Sequence, residues 1–457
     1  MTVFPGEVVK GKYSPIVIML VIVLNVAVYL YTSYSSYSPL FQTSDQSVLD
    51  YGFKPIYLLS DPVNGVVKMF TSMFIHADLF HIFFNMYFLW LFGSRIEGLI
   101  GHIKTIGLYL LSGISAVLFH VAFIPVGGYD SLTIPAVGAS GAISGVLGAY
   151  ILMLPHTKLV MCTYFFLFPY CFRLSASTFL LFWFAEQVIY GYMRLGGVAY
   201  FAHIGGFVMG MALIPLLVKV SVREPSYMDY IYKYLQDLYG IYIAKPKGLG
   251  KFSKIILAIL LLAILGGFIG GALTSLNASI YTTAITVRNI KESGSPLYLD
   301  QSEELALIIT SEGTLFSMSY SDYIRIFSSR ILPIIYNPTY TGKEFSGYIS
   351  YNVKIADLNV PVQVDLDAKY DGRGAIIRSR GTMKSVIVIL DEYGRAKLGS
   401  PISLDFEIMS EPISEKLVAG FCILAASLCI LALPAILKAD KVAVSSYAPP
   451  SLDFPYI

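Results

Sequence analysis

Apolar segments of about twenty residues recur along the chain, and they constrain its fold more than any other feature. A helix of about that length crosses the hydrocarbon core of a bilayer. Over the whole chain, 56% of the 457 residues are hydrophobic and only 14% are charged. The sequence therefore predicts an all-α polytopic membrane protein rather than a string of soluble domains. The segments that meet or approach the required length are residues 14–31, 79–97, 103–125, 138–154, 176–193, 198–218, 254–275 and 416–437.

The basic residues are unevenly distributed between these segments, and this distribution predicts the orientation in the membrane. Residues 219–254 contain seven Lys or Arg and three Asp or Glu, so this linker is expected on the cytoplasmic side of the cell membrane. Both termini are then cytoplasmic, and residues 276–413 are extracytoplasmic. The first apolar segment has some features of a signal peptide, but its length and the spans that follow favour a retained helix.

Residues 276–413 differ in pattern from the rest of the chain. Stretches such as GYISYNVKIADL (347–358) and VPVQVDLDAKY (360–370) alternate apolar and polar residues with the period of half-buried strands. The block predicts an inserted β-sandwich-like domain that could recruit substrates, hold them near an active site or bind a cell-surface partner. The predicted organisation is a six-helix domain at 1–218, a basic linker at 219–253, a seventh helix at 254–275, the β-rich domain at 276–413, an eighth helix at 414–438 and a tail at 439–457.

Neither cofactor chemistry nor nucleic-acid binding is indicated by the composition. The formal net charge is +2 and no basic tract is present, so nucleic acid is not an expected partner. The four cysteines, Cys162, Cys171, Cys422 and Cys429, lie in or beside apolar stretches without metal-ligand spacing. We therefore expect no metal, no cofactor and no disulfide framework.

Glycines recur at helical spacing in the fourth and sixth apolar segments. Small residues on facing helices allow their backbones to approach closely in a membrane. The spacing therefore predicts that the fourth segment packs against the sixth. The glycines on these faces are Gly141, Gly145 and Gly148 in IPAVGASGAISGVLGAYILML (134–154), and Gly206 and Gly210 in AYFAHIGGFVMG (199–210).

Ser140 and His203 fall on these faces, a few residues below the outer end of each helix. An ionisable side chain inside a membrane is costly and is typically functional. A histidine beside a serine can take its hydroxyl proton during attack on a carbonyl and return it to the leaving amine, without a carboxylate. In the structural alternative, the serine bonds a carbonyl one turn back and the histidine bonds a loop. Glu186, the nearest carboxylate within a span, is expected to extend to the interface or bond within the bundle.

The second apolar segment contributes polar side chains at the same outer end. His81 and Asn85 stand four residues apart on one helical face, and His76 precedes them. Amide and imidazole N–H groups can stabilise the oxyanion that forms during acyl transfer. In the alternative interpretation, these side chains only join the helices by hydrogen bonds.

Four short motifs, in this order and on these segments, resemble those of the rhomboid family of intramembrane serine proteases. The resemblance covers residues 14–218, and it leaves out the β-rich block and the last two apolar segments. It implies a six-helix rhomboid-like core with two additional transmembrane helices. The motifs are HIFFN (81–85), FGSRIEG (92–98), GASGA (138–142) and AHIGG (202–206).

The resemblance also implies roles for individual residues. Ser140 would be the nucleophile and His203 the general base, while His81, Asn85 and the Ser140 backbone amide would form the oxyanion site. Gly138 fits the close turn before the serine and belongs with the small residues that allow close packing. The implied partners are transmembrane protein substrates, namely single-span proteins cut near the outer face at a helix-weakening position.

Ser144 departs from the family pattern. Bacterial members often carry an aromatic residue at this position, stacked on the histidine, so His203 is expected to be held differently here. Family substrates enter between spans two and five, which in this chain involves FLLFWFAEQ (179–187). One alternative function is a non-proteolytic rhomboid-like protein that binds or escorts membrane clients. A small-solute transporter is another, but no internal repeat supports it.

Overall fold

The chain forms a bundle of apolar helices that carries an antiparallel sheet at one end. The computed structural model describes residues 2–5, 12–34, 36, 40–165, 168–195, 198–218, 248–297, 299–310, 313–317, 321–355, 357–390 and 395–442. The basic linker at 219–253 therefore lies outside the described residues except for 248–253. Of the tail at 439–457, only 439–442 is described.

Six helices within the described residues are long and apolar enough to cross a bilayer, and two shorter helices correspond to the fourth and fifth apolar segments of the sequence. The prediction of a multi-pass membrane protein is confirmed. Three short helices follow the first span: α2 (Asp45–Tyr51), α3 (Pro55–Ser60) and α4 (Pro62–Thr71). The second long helix is continuous through α5 (Leu79–Phe88), a π-helical turn (Leu89–Gly93) and α6 (Ser94–Ile100). The other five are α1 (Ile16–Ser33), α7 (His102–Gly127), α10 (Tyr200–Leu217), α11 (Lys251–Ser275) and α13 (Glu415–Leu437). The two shorter helices are α8 (Ser140–Met153) and α9 (Ala176–Tyr192).

Helices α8 and α10 pack with their glycine faces in contact. A Cβ atom placed on Gly206 would lie 1.9 Å from the carbonyl oxygen of Gly141. One placed on Gly210 would lie 1.9 Å from the carbonyl oxygen of Gly145. On Gly148, it would lie 2.1 Å from the carbonyl oxygen of Phe207. No other residue type fits these positions without moving one backbone away from the other.

The β-rich block at 276–413 forms one antiparallel sheet with a helix on one face. Its eight strands within the described residues are β4 (Ser279–Glu292), β5 (Ser295–Pro296), β6 (Gln301–Thr310), β7 (Gly313–Phe316), β8 (Glu344–Ile355), β9 (Leu358–Tyr370), β10 (Ile376–Leu390) and β11 (Ala396–Ile413). They lie in the order β7-β6-β4-β11-β10-β9-β8, with β5 paired to β4. The helix is α12 (Asp322–Ile335), and α14 (Ala439–Val442) follows the last span.

The predicted fold class is therefore confirmed only in part: a β-rich block accompanies the apolar helices, but it is one sheet covered by a helix and not a β-sandwich. Period-two alternation indicates strands with one buried face, but it does not say what covers that face. Here the cover is α12, whose apolar residues recur every three or four positions and are buried against the sheet. They are Ile324, Phe327, Ile331, Ile334 and Ile335.

The sheet is seated on the end of the bundle at which α7 ends and α8 begins. One buried cluster contains Phe53, Ile56 of α3, Ile124 of α7, Ile308 of β6 and Val418 of α13. Burial of these apolar side chains away from water stabilises the contact between the sheet and the bundle. The sheet and the loop helices therefore form a continuous apolar interface.

Lys54 adds a charged contact beside this apolar interface. Burial lowers the pKa of the Lys54 ammonium, while the nearby carboxylates of Glu303 and Glu304 oppose that shift. Burial likewise raises the pKa of the Glu304 carboxyl, and Lys54 opposes the rise. The loop and the sheet thus meet through opposite charges as well as apolar packing.

The connection between α8 and α9 is a β-hairpin at the opposite end of the bundle. Strand β2 (Lys158–Phe165) pairs with β1 (Thr2–Pro5) on one side and with β3 (Phe168–Ser175) on the other, which gives a second, three-stranded sheet. The hairpin register places Cys162 opposite Cys171, and the two form a disulfide. The cysteine spacing implies no disulfide framework, and this one pair is brought together by strand register rather than by a spacing motif.

Candidate active site

A tight turn at the start of α8 sets the position of Ser140. Gly138 has φ +119°, a conformation that favours glycine. Its amide donates to the carbonyl oxygen of Ser72 at 2.9 Å, and Ala136 pairs with Phe53. The helix therefore begins at Ser140, later than the expected start at residue 138, and its first side chain projects from the turn.

Ser140 and His203 are brought within hydrogen-bond distance. The Nε2 atom of His203 lies 2.8 Å from the Oγ atom of Ser140. His203 belongs to the first turn of α10, and the glycine contacts between α8 and α10 hold the two helices at the separation that this bond needs. An imidazole at this distance can accept the hydroxyl proton.

The other ring nitrogen of His203 contacts a residue that the sequence did not single out. The Nδ1 atom lies 2.8 Å from the Oε1 atom of Gln187 in α9. Trp183, one turn earlier on the same helix, has its ring centroid 6.1 Å from that of His203. Glu186, the carboxylate nearest to the site in sequence, is half-buried and makes no hydrogen bond to another described residue.

Ser144 is the position at which this chain departs from the family pattern. Its hydroxyl donates to the carbonyl oxygen of Ser140 at 2.7 Å and so remains on its own helix. His203 is instead contacted from α9, by Gln187 and Trp183. In the sequence, the only sign that α9 contacts His203 is an amide side chain, Gln187, within an aromatic stretch.

His81 and Asn85 project from α5 toward the turn before Ser140. A Cβ atom on Gly138 would lie 2.7 Å from Nε2 of His81 and 3.5 Å from Nδ2 of Asn85. The Asn85 Nδ2 group is buried and has no hydrogen-bond partner among the described residues. A buried donor without a partner is costly unless something is bound there. It is therefore available to an oxygen that carries negative charge next to Ser140.

His76 supports the same turn from outside the span. Its imidazole is buried and packs edge-on against His81, with ring centroids 5.1 Å apart. Its Nε2 atom accepts from the Ala139 amide at 3.4 Å. Burial lowers the pKa of His76 to about 3, so the imidazole is neutral at physiological pH. Among the described residues, no three His, Cys, Asp or Glu side chains gather in a way that could hold a metal ion.

Comparison with known proteins identifies the family that this part of the chain resembles. Residues 63–220 match the family model described as the Rhomboid domain. This part of the chain is a rhomboid domain. The predicted resemblance is thereby confirmed, and His81, Asn85, Ser140, Gln187 and His203 all lie within the matched range.

Individual rhomboid proteins also match part of the chain. Rhomboid protein 1, mitochondrial, of Saccharomyces cerevisiae is 31% identical over 164 residues, which cover 35% of this chain and 44% of that protein. The presenilin-associated rhomboid-like protein, mitochondrial, of Bos taurus is 37% identical over 108 residues, covering 23% and 28% respectively. RHOMBOID-like protein 1 of Arabidopsis thaliana is 32% identical over 162 residues, covering 35% and 36%.

These matches span less than half the length of each relative, and the Rhomboid domain match ends before the sheet and the last two spans. Two of the three relatives are named as mitochondrial. The expected cell-membrane location therefore receives no support from them, whereas multi-pass membrane insertion follows from the helices themselves. The sheet is an addition to the rhomboid domain.

Proposed function

We propose that the rhomboid domain is an intramembrane serine endopeptidase that cuts single-span membrane proteins. The observation that carries this proposal is the 2.8 Å distance between Ser140 Oγ and His203 Nε2. The family match supports the same class of activity, since it covers all the residues in question. Cleavage would occur near the end of the bundle that carries the sheet, because Ser140 lies at that end of α8.

The chemistry requires only side chains that are present. His203 Nε2 takes the Ser140 proton as Oγ attacks the scissile carbonyl, and a tetrahedral intermediate forms. Its oxyanion accepts hydrogen bonds from the Asn85 amide, the His81 imidazole and the Ser140 backbone amide. The imidazolium then protonates the leaving amine, and an acyl-enzyme remains on Ser140. Water, activated by the same imidazole, hydrolyses that ester and regenerates the serine.

The membrane determines which substrates can react. The peptide groups of a transmembrane helix are hydrogen-bonded to one another, so the substrate must unwind where it is cut. We further propose that the basic linker at 219–253 and both termini lie on the cytoplasmic side. The same proposal places domain boundaries at residues 218, 275 and 413. The sheet domain, between the last two spans, then lies on the opposite side of the membrane from the linker.

Labelling with a fluorophosphonate tests the proposed nucleophile directly. Wild-type protein in detergent is expected to acquire one adduct, which mass spectrometry of the digested protein locates on Ser140. Cleavage of a single-span reporter in liposomes is expected to fall in proportion to the labelled fraction. Heat-unfolded protein is the control and should not react. An adduct on a different serine, or full cleavage by fully labelled protein, would contradict the proposal.

Removal of the unpaired amide donor should slow catalysis without weakening substrate binding. For Asn85→Ala we expect kcat to fall about 10²- to 10³-fold, because one donor to the oxyanion is lost. KM should change little, since that oxyanion is absent from the bound substrate. Initial rates of reporter cleavage give both constants. Asn85→Asp, which keeps the shape but offers no donor when ionised, should be at least as slow, and a wild-type kcat in both variants would exclude the assigned role.

A further inference from the structure

His203 is held from both sides by side chains on neighbouring helices. Ser140 Oγ lies 2.8 Å from Nε2, and Gln187 Oε1 lies 2.8 Å from Nδ1. Gln187 is only 6% exposed, in an otherwise apolar stretch of α9. A buried side-chain amide is costly unless it is hydrogen-bonded. The contact with His203 thus accounts for a polar residue at a position where packing alone would favour an apolar one.

The chemistry of the two partners determines which ring nitrogen carries the proton. A neutral imidazole has one N–H group and one lone pair. An amide oxygen can only accept, so a bond to Gln187 Oε1 requires the proton on Nδ1. The lone pair then lies on Nε2, directed at the Ser140 hydroxyl. This is the tautomer that a general base needs, since the opposite one would present N–H to the serine.

Aromatic packing fixes Gln187 in relation to His203. Phe184 of α9 stacks on Phe207 of α10, with ring centroids 4.4 Å apart. The two helices also approach closely at Gly191, where a Cβ atom would lie 2.6 Å from a ring carbon of Phe201. Trp183 contacts both the His203 and Phe207 rings, at 6.1 and 5.9 Å between centroids. Gln187 lies between these contacts along α9. They therefore keep α9 in the position along α10 that the hydrogen bond between Gln187 and His203 requires.

We propose that Gln187 is a positioning residue for the proteolysis proposed above, and that its side-chain carbonyl holds His203 in the Nδ1–H tautomer. The chain thereby obtains the orienting action of a third residue from an uncharged amide. Gln187 touches neither the scissile bond nor Ser140, so it acts only through the imidazole. The proposal rests on the proposed function for its kinetic consequence, but not for the tautomer itself.

Kinetics of two substitutions test the positioning role. Gln187→Leu removes the acceptor, and we expect kcat to fall roughly 10- to 100-fold, a part of what a general base contributes, with KM unchanged. Gln187→Glu keeps an acceptor and adds a negative charge, which favours the imidazolium. The acid limb of its pH–rate profile should therefore move to higher pH relative to wild type. A purely structural role would not move that limb.

The two Gln187 substitutions leave the other groups around His203 unchanged. His81 of α5 and His120 of α7 are the titratable side chains whose charge acts on His203, while Ser140 of α8 bonds it directly. Glu186→Gln is the matched control, because it changes charge on the same helix without touching His203. It should leave kcat and the pH profile unchanged. Wild-type kcat and an unshifted pH profile in both Gln187 variants would overturn the proposal.

A measurement without activity separates this proposal from the proposed function. In ¹⁵N-histidine-labelled wild-type protein, with His203→Ala used for assignment, the spectrum should show a protonated Nδ1 and an unprotonated Nε2 for neutral His203. Gln187→Leu should show a mixture of tautomers or the opposite one. A protonated Nε2 in wild type would overturn the proposal even if the protein cleaves its reporter. If wild type neither cleaves nor reacts with a fluorophosphonate, the proposed function fails while this spectrum still decides on Gln187.

Discussion

Replacing Ser140 by alanine is expected to abolish cleavage of a single-span reporter in liposomes. Without Oγ there is no nucleophile, and the imidazole 2.8 Å away has no proton to take. His203→Ala should lower the rate at least about 10³-fold, since nucleophile and base act as a unit. Time courses of reporter cleavage, followed by gel electrophoresis and mass spectrometry of the products, measure both effects.

A matched serine substitution provides the control for this prediction. Ser427 lies on the exposed side of α13, where its hydroxyl donates to the carbonyl oxygen of Ile423 on its own helix and to no other described residue. Ser427→Ala should cleave the reporter at the wild-type rate, with the same products. Specific cleavage that persists in Ser140→Ala at more than about a hundredth of the wild-type rate would exclude Ser140 as the nucleophile.

Gly210→Ala is expected to cause a large loss of stability for the addition of a single methyl group to the bundle. The new Cβ would lie 1.9 Å from the carbonyl oxygen of Gly145, a backbone atom that no side-chain rotation can move. Helices α8 and α10 must therefore separate, at a cost of about 1–3 kcal/mol or more. Because the same helices carry Ser140 and His203, cleavage should fall together with the thermal midpoint in detergent.

Gly266 of α11 supplies the comparison for this substitution. No atom lies within 4 Å of the position that its Cβ would occupy. Gly266→Ala should therefore leave activity unchanged, and the unfolding midpoint should stay the same or rise slightly through helix propensity. If Gly210→Ala unfolded at the same temperature as Gly266→Ala, the close approach of the two helices would not exist in solution.

Features set by spacing along one helix can be predicted from the sequence. The glycines of α8 and α10 repeat at helical intervals, and they imply the contact that brings Ser140 to His203. His81 and Asn85 share one face of α5 for the same reason. The identity and order of these motifs along the chain are enough to indicate the rhomboid family.

Features set by contacts between elements cannot be predicted in the same way. Gln187 reaches His203 across two helices, and no spacing along α9 marks a glutamine as a partner of a histidine. The pairing of Cys162 with Cys171 depends on the register of a hairpin that lies between apolar helices. The helix α12 escapes prediction because alternation in the strands around it dominates the pattern of residues 276–413.

The sheet domain is joined to the rest of the chain through α11 and α13, two apolar helices that pack against each other. Both of its ends are therefore anchored side by side, so the unfolded domain is a closed loop instead of a chain with free ends. Closing a loop of this size removes conformational entropy from the unfolded state, worth about 4–5 kcal/mol for loops near 100 residues. Part of the thermodynamic stability of this domain thus depends on the packed helix pair that holds its two ends together, and it would be lost from a fragment without α11 and α13.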